Sequence, residues 1–384
     1  MRHRNSVFAD VVKLIPWGKF EKLVDEHGTD DLVRSFTTRH QLLALLCGQL
    51  EGAASLRGIK AVMLSHRARL YHAGAVVPCR STFADANRNR DYRVFTGLFE
   101  PVLGLATGGF RKAVGDVVRL VDSTSLRLAG IGAHWARFST EFSGLKVHVI
   151  YDPDLGCPVY HLVSEAKIND IVVAKRMPIE KGATYVFDLG YYDYRWWAKL
   201  DEAGCRIVTR FKANTLLREA KEQPLQPGSR VLSDRIGFLP ERLASNRRNP
   251  MQAPVREIVV RTETGKELRV LTNDLDAPAE EIAELYKQRW QIELFFRAMK
   301  QTLKITHFLG RSENAVRIQV AVALIAFLLL HLLRQMSKAK LSLAELTRLV
   351  RANLMHRKDF TRLREIQTPP PIDSRQLTLN WGST

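Results

Sequence analysis

The run Tyr286-Lys-Gln-Arg289-Trp290-Gln-Ile-Glu293-Leu-Phe-Phe-Arg297-Ala-Met-Lys300 lies inside a longer stretch, Ala279 to Leu303, filled with good helix formers. Asp276 and Pro278 stand where a cap and a first-turn proline are expected, so the stretch predicts one long helix. At about 100° per residue, Tyr286, Arg289, Glu293, Arg297, Lys300 and Lys304 project within a stripe roughly 80° wide. Leu285, Ile292, Phe296, Met299 and Leu303 run along one edge of it, and Trp290 and Leu294 along the other, so core is expected on both sides. Metal ions and phosphates would satisfy both signs of charge in that frame. Glu293 suits a hard cation, and the Arg and Lys side chains suit phosphate oxygens. The alternative is an ordinary helix with i,i+4 ion pairs, a spacing that Glu293 has with Arg289 and with Arg297.

Upstream, Asp116-Val-Val-Arg-Leu-Val-Asp122-Ser-Thr is a short β-branched run ending in a carboxylate, and it reads as a central strand. Thr184-Tyr-Val-Phe-Asp188-Leu-Gly190-Tyr191 repeats that form, with Gly190 allowing a close turn. An Asp closing a strand is also a common turn former. Between the two runs, Leu145 to Ile150 and Cys157 to Val163 predict a hairpin about Asp152-Pro-Asp-Leu-Gly156, and Asn169 and Asp170 then cap a short helix. Between Asp188 and Glu293 lie 104 residues, too many for a simple connection. That interval holds a strand from Cys205 to Lys212 and strand-like runs at 230–232, 256–261 and 267–272, the last two forming a hairpin about Thr264-Gly265.

Residues 1 to about 110 have helical apolar spacing, with Arg88, Arg90 and Arg93 crowded after a helix start at Ser81-Thr82. A basic module of this kind suits DNA, although charge runs are often just solvated faces. The chain's net charge of +18 over 384 residues fits a polyanionic partner. No apolar segment follows Arg2 and Arg4 as in a signal peptide, and the longest apolar run, Val320 to Leu330, falls short of the ~20 residues that span a bilayer. No membrane partner is expected, and the location expected is the cytoplasm. Cys47, Cys79, Cys157 and Cys205 lack zinc-like spacing, and Gly130-Ile-Gly132 lacks the third glycine of a dinucleotide loop. No pattern suggests a serine or cysteine nucleophile.

The spacing Tyr286, two residues, Arg289, three residues, Glu293, six residues, Lys300 resembles the signature of the insertion sequence 4 family of DDE transposases, matching at all four positions. The flanking Leu303-Lys-Ile305, Phe308 and Gly310, the Gly144-Leu-Lys-Val-His148 run, and Phe36 to Arg57 with Ser81 to Asn87 are similar to that family as well. The resemblance implies an α/β fold: a ribonuclease-H-like mixed sheet with flanking helices, a β-rich insertion before the third acid, and a helical N-terminal domain. Its implied organisation is a DNA-binding domain at 1–110, a catalytic core at 111–212 and 276–310, the insertion at 213–275, basic helices at 311–368 and a loose tail at 369–384.

By the same resemblance Asp122, Asp188 and Glu293 are the catalytic acids and metal ligands, holding two Mg²⁺ ions for which Mn²⁺ can substitute. They are then expected to converge although 66 and 105 positions separate them. Tyr286, Arg289, Arg297, Lys300 and Lys304 would contact phosphates, and Trp290, or Trp196, would stack on an unpaired base, of use if cleavage passes through a DNA hairpin. Asn246-Arg-Arg-Asn-Pro250 is a candidate DNA-contact loop, and residues 315–365, with ten Arg/Lys against three Asp/Glu, a DNA or dimer contact. The implied function is cut-and-paste transposition of a bacterial insertion sequence on double-stranded DNA ends and targets, with a homodimer in the synaptic complex. Two other readings stay open, a non-catalytic DNA-binding derivative and a ribonuclease-H-like structure-specific nuclease.

Overall fold

The computed structural model describes residues 5–108, 117–128, 143–242, 248–305, 308–337, 340–357 and 363. Its centre is a sheet of nine strands, β1 (Val118–Leu128), β2 (Ser143–Asp152), β3 (Cys157–Glu165), β4 (Thr184–Phe187), β5 (Arg206–Arg210), β6 (Arg218–Glu222), β7 (Val231–Phe238), β8 (Val255–Arg261) and β9 (Glu267–Thr272). Their order is β3-β2-β1-β4-β5-β9-β8-β7-β6. In the first five, β1, β4 and β5 run parallel and β2 lies antiparallel between β1 and β3, the ribonuclease-H-like arrangement expected from the sequence.

The β-rich insertion continues this sheet, because β9 pairs antiparallel with β5. β6, Arg-Glu-Ala-Lys-Glu, forms the far edge with every residue exposed, and its charges discourage pairing with another chain. Among the expected loop residues, 243–247 lie outside the described part, as do Gly130 and Gly132.

Seven helices precede β1: α1 (Val7–Lys13), α2 (Trp17–Glu26), α3 (Thr38–Glu51), α4 (Leu56–Ser65), α5 (Arg67–Leu70), α6 (Arg80–Asn89) and α7 (Arg93–Thr107). Arg90 is spent inside this bundle: it pairs with Asp30 and donates to Gln41 Oε1 and to the Phe36 carbonyl. Arg93 pairs with Asp91, so of the three arginines expected to crowd a DNA-facing turn only Arg88 stays exposed without a recorded partner.

Strand alternation distributes side chains between two cores. Val121, Ile150, Tyr185, Phe187 and Ile207 face one core with α8 (Asp170–Ala174) and α9 (Tyr194–Glu202). Leu120, Val149, Val186 and Val208 face the other. That second core includes α10 (Ala279–Gln288), α11 (Trp290–Arg297), α12 (Glu313–Met336), α13 (Leu343–Asn353) and the N-terminal helices. α12 is long and apolar enough to cross a membrane, but 94% of its apolar window is buried inside the protein. It packs on α7, α3 and α6 from the beginning of the chain and on β3 and α13 from the rest, which makes it a shared core helix.

Candidate active site

The helix carrying the charged stripe differs from the single helix expected. It breaks at Arg289 between α10 and α11 and continues from Ala298 to Thr302 as a π-helical turn. Lys304 then takes a left-handed backbone (φ 50°) that ends it. Pro278 rather than Asp276 occupies the cap position, and the Asp274 carboxylate accepts from the Asp276 and Ala277 amides at 3.0 and 2.9 Å. The turn is fixed from outside: Gln49 of α3 donates to the Leu303 carbonyl, and Arg351 of α13 to the Thr302 carbonyl at 2.7 Å.

Leu285, Ile292, Phe296, Met299 and Leu303 are buried as expected. Trp290 and Leu294 are not: they stand 51% and 45% exposed, so the second edge of the stripe opens to solvent where core was expected. Arg297 sits over the Trp290 ring at 5.9 Å, Lys300 is half-buried and Lys304 is exposed. Tyr286 is buried beneath them, 5.8 Å from the Arg289 guanidinium carbon.

β1 and β4 meet the helix. The parallel pairing matches Val118 with Thr184 and Leu120 with Val186. The pairing stops there, while β1 continues through Asp122 and Asp188 directly follows β4, so both acids lie beyond the paired segment at its same end. Asp122 Oδ1 accepts from the Ser123 amide at 2.7 Å inside β1, which runs on to Leu128 rather than ending at Asp122 as expected, and Asp188 Oδ1 accepts from the Gly190 amide at 2.8 Å in the turn after β4.

α11 packs on β1 and brings Glu293 near Asp122. Arg289 joins the elements: it donates to Glu293 Oε1 at 2.5 Å and approaches Asp122 Oδ2 to 3.6 Å, with its own side chain only 19% exposed. The i,i+4 pairing anticipated for the helix therefore forms, and it also reaches the strand acid.

Burial is the largest influence on Asp122 and pushes its carboxyl up to about 7. The Ser123 amide and Arg289 oppose the rise, while the Asp188 and Glu293 charges add to it. Asp122 thus feels the charges of both other sequence-predicted acids. Among the described residues no three Asp, Glu, His or Cys side chains stand as a ready metal-ligand group, and Glu293 is turned onto Arg289.

Around these acids lie groups that the sequence reading left out. Asp170, expected only as a helix cap, accepts from Ser123 Oγ at 2.8 Å and pairs with Lys146 at 3.1 Å, with His148 Nδ1 at 3.7 Å. Burial holds the His148 imidazole down to about 4, so it is neutral at pH 7. The available signal was the alternation of Lys146 and His148 along one face of a strand that otherwise reads as core.

Residues 114–329 match the family described as Transposase DDE domain. That is more than half of the chain and includes all three acids. The chain belongs to this transposase family. Residues 3–76 match a second family, described as Domain of unknown function (DUF4372). The transposase is similar to "Putative transposase y4zB" of Sinorhizobium fredii (strain NBRC 101917 / NGR234), at 37% identity over 300 residues, covering 77% of this chain and 82% of that one. It is also similar to "Probable transposase for insertion sequence element IS5377" of Geobacillus stearothermophilus, at 26% identity over 334 residues, covering 85% and 84%. Among solved structures, the synaptic complex of piggyBac transposase with hairpin DNA aligns with 96% of this chain and 84% of that one, at 12% identity and a TM-score of 0.46. DDE transposases depend on divalent metal ions and act on DNA, and the oxygen-only donors Asp122, Asp188 and Glu293 suit hard cations.

Proposed function

We propose that this transposase binds the terminal inverted repeats of an insertion sequence and excises and rejoins it in the bacterial cytoplasm, with Asp122, Asp188 and Glu293 as its catalytic acids. The observation that carries this reading is the Arg289 guanidinium, which joins Asp122 of β1 to Glu293 of α11 while the Asp188 charge acts on Asp122. The acids fit two Mg²⁺ ions: they offer only oxygen, and burial together with carboxylate neighbours raises Asp122, as expected for an acid cluster short of positive charge. Bound divalent ions supply a lowered pKa for the attacking water or 3′-hydroxyl and stabilise the leaving 3′-oxygen.

The chain's own residues do the rest. Asp122, Asp188 and Glu293 hold the ion site in place. Arg289, once it leaves Glu293, and Arg297, Lys300 and Lys304 neutralise the phosphates on either side of the scissile bond. Tyr286 lies below this row, where its hydroxyl can donate to a phosphate oxygen. Trp290, half exposed beside Arg297, offers a face for an unpaired base at the DNA end. Such a reaction needs no covalent enzyme intermediate, and two ends brought together call for a pair of transposase chains.

The test is cleavage of a labelled DNA end in Mg²⁺, with binding measured separately in Ca²⁺. Glu293→Ala is expected to lower cleavage at least ~100-fold while end binding persists, because the lost interaction belongs to the chemical step. Parental cleavage by Glu293→Ala would remove the reading at its centre.

A further inference from the structure

Asp170 reaches the sheet from α8, on the face opposite Glu293, and touches what stands behind both Asp122 and Asp188. On the β1 side, Ser123 is clamped between two carboxylates: its amide donates to Asp122 Oδ1 at 2.7 Å and its hydroxyl to Asp170 Oδ1 at 2.8 Å. On the β4 side, a Cβ placed on Gly190 would press on Asp188 Oδ1 at 3.0 Å but meet Asp170 Oδ2 only in ordinary contact at 3.7 Å. Lys146 at 3.1 Å offsets the charge of Asp170.

Two buried polar groups in this cluster have no hydrogen-bond partner. One is the Tyr191 hydroxyl, whose residue is 1% exposed. Burial, followed by the charges of Asp122, Asp170 and Asp188, raises its pKa well above the ordinary value, and the nearby Ser123 hydroxyl opposes the rise. The other is His148 Nδ1, fully buried and facing Asp170, while Nε2 on the same ring bonds Ser164 Oγ. A buried donor without an acceptor costs stability, and its presence beside the acids marks an arrangement completed only when another group enters.

We propose that Asp170 is a positioning residue of the active site, which acts through Ser123 on Asp122 to hold that carboxylate in the orientation that a divalent cation requires. This inference rests on the assignment of Asp122 and Asp188 as metal ligands. Groups that orient metal ligands by hydrogen bonding typically contribute 10- to 100-fold in metal affinity.

The experiment is a Mn²⁺ titration of the full-length, DNA-free transposase followed by electron paramagnetic resonance, with melting temperature measured on each variant. Asp170→Ala is expected to weaken Mn²⁺ binding about tenfold or more at a near-parental melting temperature. Asp170→Asn, which keeps an oxygen for Ser123, should recover most of that loss. Ser123→Ala should resemble Asp170→Ala, and the double variant should bind no worse than either. Ser123→Ala also serves as the independent arm should Asp170→Ala not fold. Parental affinity in both alanine variants, or additive losses in the double variant, would overturn the inference. Asp122→Ala and Asp188→Ala separate the two levels. If they lose Mn²⁺ while Asp170→Ala keeps it, Asp170 alone is misassigned, whereas parental binding in all of them removes the metal assignment together with this one.

Discussion

Arg289 makes a prediction with an unusual sign. Its guanidinium is the cation that Asp122 and Glu293 share, at 3.6 and 2.5 Å, so divalent ions must compete with it for both carboxylates. At an effective dielectric near 20, a unit pair at the 3.6 Å spacing is worth about 5 kcal/mol. Partial exposure of both partners, Arg289 and Asp122 at 19% each, screens this, leaving a net of about 1–2 kcal/mol. Replacing Arg289 by Gln should therefore tighten Mn²⁺ binding about 5- to 30-fold in the absence of DNA. Affinity for a DNA end should fall at the same time, with the slope of log K against log salt shallower by about one unit as a phosphate contact disappears. The assays are a calorimetric Mn²⁺ titration at pH 8 and again at pH 9, because losing Arg289 raises the Asp122 carboxyl further, and fluorescence anisotropy in Ca²⁺ over a salt series. Unchanged or weaker Mn²⁺ binding by a folded Arg289→Gln protein would refute the idea that the guanidinium and the metal compete.

The raised Asp122 carboxyl gives a pH dependence. Its folded value of about 7 stands above the unfolded ~3.9, so its contribution is full below about pH 4 and is lost as pH rises through 7. In EDTA, Asp122→Asn should flatten this decline, and differential scanning calorimetry from pH 4 to 8 checks it. A parallel decline in parent and variant would exclude Asp122 as the source. In α12, Leu328 is fully buried, and Leu328→Ala should cost about 2–5 kcal/mol. Because α12 packs on both the N-terminal helices and β3, urea unfolding should stay a single transition by tryptophan fluorescence and circular dichroism.

The end of β4 was legible because Thr184 to Phe187 is a β-branched and aromatic run closed by Asp188, whereas β1 was expected to end at Asp122 and continues to Leu128, where Ser123 to Leu128 pair with β2. The parallel pairing of β1 with β4 was not legible, since strands 66 residues apart carry no local mark of it. The charged stripe was readable from helical spacing, but the break at Arg289 and the π-helical turn depend on distant partners, Gln49 and Arg351, that anchor the end of the run. Trp290 and Leu294 look apolar in any pattern, and among the described residues no element packs over them enough to bury them. β6 escaped notice because Arg218 to Glu222 has no apolar alternation at all. Asp170 was hidden by a residue type that begins helices everywhere.

The position of α12 also governs when this protein can become itself. The helices that close first in the chain, ending at Thr107, find their central packing partner only at Glu313. At ribosomal rates of roughly 5–20 residues per second, the early helices wait about 10–40 s with their apolar faces uncovered. Throughout that interval the nascent chain is a client for chaperones, and a message cut short before α12 yields a product with no centre to fold around. The far end of the coding sequence thus decides whether its beginning folds.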